Sequence, residues 1–148
     1  MLVLEGLPAL SPFRSDRLQS RLRQIVPELR LTGAWHVYFV QPDPGAELDE
    51  AALGRILEGE VHRHPAADGA QSRFVTPRLG TVSPWASKAT DIAHNCGLAV
   101  RRIERITEYH LTFKSGLLGA APAPGAAELE AIAALLHDRM TESVMADR

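Results

Sequence analysis

Two tripeptides of one kind, Ser11-Pro12-Phe13 and Ser83-Pro84-Trp85, stand at the head of two helical periodicities, one in each half of the chain. A serine caps a helix by accepting a free backbone N–H, and proline at the first helical position forfeits no bond there. Behind the first, Leu18, Leu22 and Ile25 recur at helical spacing, and Pro27 ends the run. Behind the second, the run reaches Gly97, which suits the left-handed residue that follows a helix.

The segments around these helices repeat one order. LVLEG, ended by Gly6 and Pro8, and TGAWHVYFVQ at 32–41 read as strands, and PDPG at 42–45 as a turn. A helix is expected from Asp49 to about Arg63, capped by Asp49 and stapled by Leu48 onto Leu53, with Leu53, Ile56, Leu57 and Val61 inward. HPAADGAQ at 64–71 reads as a loop. SRFVTP at 72–77 reads as a strand. LAVRRIERITEYHLTF at 98–113 reads as a long strand or strand pair, with Thr107, Tyr109, Leu111 and Phe113 on one face. GLLGAAPAPG at 116–125 is a loop, and a last helix is expected from Ala126 to Met145, burying Leu129, Ile132, Leu136, Met140 and Val144. Each half is thus strand–helix–strand–helix. The expectation is a single α+β domain over 1–148 with pseudo-repeated halves at about 1–66 and 67–148, related by a pseudo-two-fold axis.

Composition narrows the function classes. The chain's 148 residues can bury a core without a disulfide or a metal. A net charge of −2 lacks the basic excess of a general nucleic-acid binder. The single cysteine excludes an internal disulfide and points to a reducing compartment. No apolar run approaches the roughly 20 residues that span a bilayer, and the start does not read as a secretory signal. The expectations are no nucleic acid, no membrane and a cytoplasmic location.

The stretch VTPRLGTVSPWASKATDIAHNCGL at 75–98 is the most polar and chemically mixed of the chain. Projected at 100° per residue, Trp85, Ala89, Ile92 and Cys96 share one stripe, while Ser87, Asp91, His94 and Asn95 oppose it and Thr90 and Lys88 lie at its margins. Cys96 is expected inside as a small hydrophobe, and His94, about 200° away, is not placed to activate it as a nucleophile. The free N–H groups at the helix start, with Arg78 and Lys88 nearby, suit an anion; a self-satisfied Ser83 cap is the competing reading. No GxGxxG or GxxxxGK[ST] loop is present.

Other motifs carry less. His62 and His64 lack the third ligand that a metal site would need. Arg101, Arg102 and Arg105 with Glu104 and Glu108 read as a solvated strand edge or a subunit contact. LHDRMTESV at 136–144 reads as a solvated helical face, since adjacent residues on a helix do not face each other. No catalytic, cofactor or metal residue is assigned.

Residues 76–98, TPRLGTVSPWASKATDIAHNCGL, closely resemble the N-terminal signature of formylglycinamide ribonucleotide amidotransferase, the large form of phosphoribosylformylglycinamidine synthase. LEGLPALSPFR at 4–14 and LLHDRMTESV at 135–144 also look like that family. The resemblance implies a PurS-like fold, two fused halves with an antiparallel sheet covered by helices. It implies a role in the ATP- and glutamine-dependent amidation of formylglycinamide ribonucleotide in purine synthesis. The family's ATP and Mg²⁺ belong to a synthetase domain and its Cys/His/Glu triad to a glutaminase, neither of which lies in this stretch. The implied partners are those two domains, and the chain alone is not expected to catalyse the reaction or hold a cofactor. Self-association of the isolated domain through surface left by missing neighbours is a further expectation.

With no catalytic group of its own, the motif implies docking or positioning roles for Arg78, Thr81, Ser83, Trp85, Ser87, Lys88, Thr90, Asp91 and Asn95. The alternative is a stand-alone anion- or nucleotide-binding module with its site at the 83–88 helix start. A thiol enzyme using Cys96 is a third reading.

Overall fold

A computed structural model describes residues 1–62, 64–65, 69–113 and 124–146. In chain order the elements are β1 (Leu2–Pro8), α1 (Pro12–Ile25), β2 (Leu29–Pro42), α2 (Glu50–Leu57), β3 (Gln71–Pro77), α3 (Pro84–Asn95), β4 (Val100–Phe113), α4 (Ala126–Leu136) and β5 (Glu142–Met145). The five strands form one sheet in the order β1-β2-β4-β3-β5. Every neighbouring pair is antiparallel. The two long strands, β2 and β4, run side by side at the centre, from Leu29 opposite Phe113 to Pro42 opposite Val100. The fold is α+β, as the sequence implies.

Alternation decides which residues meet the helices. Ala34, Tyr38 and Val40 on β2 share a face with Ile103, Tyr109 and Leu111 on β4. That face carries two apolar clusters. One joins Leu4, Tyr38, Val40, Val100 and Ile103 of the sheet to Leu53 and Leu57 of α2 and to Ala89 and Ala93 of α3. The other joins Ala34, Val75, Tyr109 and Leu111 to Leu22 of α1 and to Ile132 and Leu136 of α4. The clusters share no residue. The opposite face buries Val37, Phe74 and Ile106, with Val3 and Phe39 beside them.

Both Ser-Pro helix starts form as expected. The Oγ atoms of Ser11 and Ser83 accept from the backbone N–H groups of Arg14 and Ala86, with proline at the first helical position in each case. Asp49 caps α2 in the same way, through Ala52. Gly97, at φ 76°, follows α3 in the left-handed region, and Leu98 N–H returns to the Ala93 carbonyl.

Three expectations are corrected. The second helix ends at Leu57 rather than near Arg63: Glu58 takes φ 54°, and Glu60 leaves the helix to bridge Glu5 at the outer edge of β1. Gly59 passes so close beneath β1 that an added Cβ would stand 3.0 Å from Leu4 Cβ. Ile56 and Val61 are therefore exposed. The last helix ends at Leu136 rather than Met145, because Asp138 starts a turn: its Oδ1 accepts from Met140 N–H and its carbonyl from Thr141 and Glu142. The chain then enters β5, leaving Leu129 and Met140 exposed. The inner stripe of α3 is Ala86, Ala89 and Ala93 rather than Trp85, Ala89, Ile92 and Cys96. Cys96 is exposed because the helix ends one residue before it and the chain turns away through Gly97. The loop expected at 116–125 falls mostly outside the described residues.

Candidate functional site

The motif from Arg78 to Asn95 divides into residues that hold the fold and residues that face solvent. Beyond Thr107, β4 has no strand on its β3 side, since β3 pairs only with Thr107–Leu111. Thr90 closes that gap: its Oγ1 accepts from Ile103 N–H at 3.0 Å and donates to the Ala86 carbonyl at 2.7 Å. Two residues on, Arg105 N–H donates to Glu104 Oε1 at 3.0 Å. Ser83, while capping α3, donates to the same Glu104 oxygen at 2.9 Å. Arg102 pairs with the other Glu104 oxygen at 2.9 Å and donates to the Thr81 carbonyl. Trp85 stacks on Tyr38 at 5.6 Å between ring centroids, and the Arg105 guanidinium lies 4.6 Å from the Trp85 ring centroid. Ser83, Trp85 and Thr90 thus fasten α3 to the sheet.

The remaining motif residues, Arg78, Thr81, Ser87, Lys88, Asp91 and Asn95, are exposed. So are Leu79, Val82 and Ile92. Neither Arg78 nor Lys88 makes an ion pair among the described residues. Cys96 and His94 do not form a nucleophile pair, because the His94 ring nitrogen is engaged by the Val100 carbonyl at 2.6 Å. The expected solvated strand edge is also corrected. Glu108 is buried and lies 3.1 Å from the His110 ring, and Glu104 and Arg105 are half-buried. His64, rather than pairing with His62, stacks on Trp35 at 3.6 Å. No group of three or more metal-ligating side chains occurs among the described residues.

A second region escaped the sequence reading. Between the two apolar clusters the helical face leaves a cleft of about 610 Å³. Arg14, Arg17 and Arg21 line it from α1, His36 and Arg105 from the sheet, His137 and Asp138 from the segment after α4, and Glu142 from the start of β5. The signal was present: three arginines at i, i+3 and i+7 form one stripe beside the apolar one. The acidic residues, Asp138 and Glu142, carry no such signal, because a helix running from Ala126 to Met145 would set them on a solvated face. Two stretches singled out for their family resemblance, 4–14 and 135–144, meet here.

His36 sits at the cleft floor, and its Nδ1 is buried with no hydrogen-bond partner. Burial first, and then the Arg105 charge, lower its pKa from 6.5 to about 4. Between those values the unfolded chain binds a proton that the native histidine refuses, so stability falls as pH drops from 6.5 toward about 4. The full shift corresponds to roughly 3 kcal/mol, and solvent screening of the half-buried ring reduces it, so His36→Gln should lessen this acid sensitivity by on the order of 1–2 kcal/mol across that window, read by urea unfolding. An unchanged pH dependence would show that His36 protonates freely in the native state.

Together these features define a small α+β domain whose longest motif half fastens a helix to the sheet and half presents a surface. The family model for the formylglycinamide ribonucleotide amidotransferase N-terminal region matches residues 35–148, and the chain belongs to that family. The match covers the whole α3 motif, β4 and β5; β1, α1 and the first part of β2 precede it. No helix among the described residues is long and apolar enough to cross a membrane.

Proposed function

We propose that this domain is a scaffold and coupling element of phosphoribosylformylglycinamidine synthase, docking the synthetase and glutaminase parts rather than carrying out chemistry. One observation carries the reading. Beside the anchoring residues, the motif sets exposed Leu79, Val82 and Ile92 among exposed Arg78, Ser87, Lys88 and Asp91. Apolar side chains ringed by polar ones are the composition of a protein-binding surface. The two halves, each strand–helix–strand–helix with β2 and β4 central and β5 added to the second, are on this reading copies of one unit fused in a single domain.

The alternative, an anion held at the 83–88 helix start, is disfavoured by what stands there. Ser83 Oγ already takes the Ala86 N–H of the first turn, and Glu104 places a carboxylate against Ser83. An incoming anion would meet a like charge. In an enzyme assembled from this domain with its synthetase and glutaminase parts, Leu79→Asp and Lys88→Ala should weaken assembly about tenfold. The domain's melting temperature should stay within about 2 °C, as surface changes usually allow. Analytical ultracentrifugation with the domains supplied separately reads the assembly, and a thermal melt of each variant domain reads the stability. Full assembly of both variants would end the docking proposal.

A further inference from the structure

The cleft beside α1 and the end of α4 is a second site, independent of the docking surface. Arg14, Arg17, Arg21 and Arg105 border it, and none has a carboxylate within 4.0 Å among the described residues. Two carboxylates line the same cleft but serve their own turn. Asp138 Oδ1 accepts from Met140 N–H at 2.9 Å, and Glu142 Oε1 accepts from Asp138 N–H at 2.9 Å. Four guanidiniums against two carboxylates around one concavity, in a chain of net charge −2, leave a local excess of positive charge. Guanidinium forks match phosphate oxygens two at a time. At the floor, His36 Nδ1 is buried and unpartnered, a polar atom that a ligand reaching the bottom would satisfy. The volume, about 610 Å³, lies within the range of small-molecule sites.

We propose that this cleft binds a small phosphate-bearing anion of diphosphate length, with the α1 arginines and Arg105 as its charge partners and His36 at its base. The arginine stripe sets the length. Arg14 to Arg21 is two turns of helix, roughly 10 Å at 1.5 Å per residue, which is longer than a single phosphate and fits two in line. The site differs in place from the α3 start, where Glu104 stands.

Isothermal titration of the chain with inorganic diphosphate and, separately, with ADP tests the proposal. Binding of either is expected, weakening steeply with added salt. Arg17→Ala and Arg105→Ala should each weaken it about tenfold or more, the effect of losing a charge-assisted pair. Arg23→Ala, on the opposite side of the same helix, should leave it unchanged. Equal affinity for the two ligands would assign recognition to the phosphates alone, and tighter ADP binding would add a nucleoside contact; both support the site. The His36 ring signals should shift on titration, which places the ligand at the floor even if a variant folds poorly. No binding of either ligand, or equal weakening by Arg23→Ala, would overturn the proposal. Neither result touches the docking reading, whose test uses other residues and other partners.

Discussion

Leu53→Ala should destabilise the domain by about 3 kcal/mol, Leu22→Ala by a similar amount, and the double variant by close to their sum. Both leucines are fully buried, one under α2 and the other under α1. Each truncation removes apolar transfer energy and leaves a cavity that rigid neighbours only partly close. Additivity is the sharper part of the expectation. Leu53 belongs to the cluster with α3, and Leu22 to the cluster with α4. Between the clusters the same sheet face carries His36, Arg105 and Thr107, which line the cleft instead of filling a core. Strain at one leucine therefore reaches the other chiefly through β2 and β4 rather than through shared core contacts. Urea unfolding of the four species measures the coupling. A coupling well above about 0.5 kcal/mol would show that the halves repack as one core.

The same division explains what could be read from the chain beforehand. Helix starts were legible because a cap is a local event: Ser11, Asp49 and Ser83 each bond an N–H three residues ahead. The long strands were legible because β-branched and aromatic residues crowd 32–41 and 98–113. Helix ends set by tertiary contact were not. Nothing near Glu58 announces that Glu60 will pair with Glu5. The Asp138 turn is held by local bonds, yet the apolar spacing that runs on through Met140 and Val144 hides it in the sequence.

Orientation was legible only in part. The projection of α3 rightly exposed Ser87, Asp91 and Asn95, yet it was rotated by about one residue. The stripe of Ala86, Ala89 and Ala93 carries little hydrophobic signal beside Trp85 and Ile92, although small residues are what let a helix lie close on a sheet. The cleft was missed for a different reason. Its members come from α1, β2, β4 and the α4–β5 turn, and only strand pairing brings His36 opposite Thr107 and near Arg105.

Thr90→Val should cost about 2 kcal/mol, although it preserves shape and adds apolar surface. The hydroxyl holds two groups. It accepts from Ile103 N–H on the stretch of β4 that β3 does not reach, and it donates to the Ala86 carbonyl. Ile103 itself is fully buried under α3, so valine would leave its amide without a partner on a strand that water reaches poorly. An unmet buried N–H costs about 1–3 kcal/mol, more than the added methyl returns. Thr90→Ser, which keeps the oxygen, should recover most of the loss. Hydrogen exchange gives a local readout: the Ile103 amide should lose protection in Thr90→Val and keep it in Thr90→Ser. At a temperature where both are folded, Thr90→Val should assemble with partner domains as the parent does, whereas Lys88→Ala should assemble poorly at unchanged stability. That pair of opposite results separates the two tasks of one helix. If Thr90→Val were neutral in stability with the Ile103 amide still protected, another acceptor would have to close the β4 edge, and Thr90 would join the docking residues.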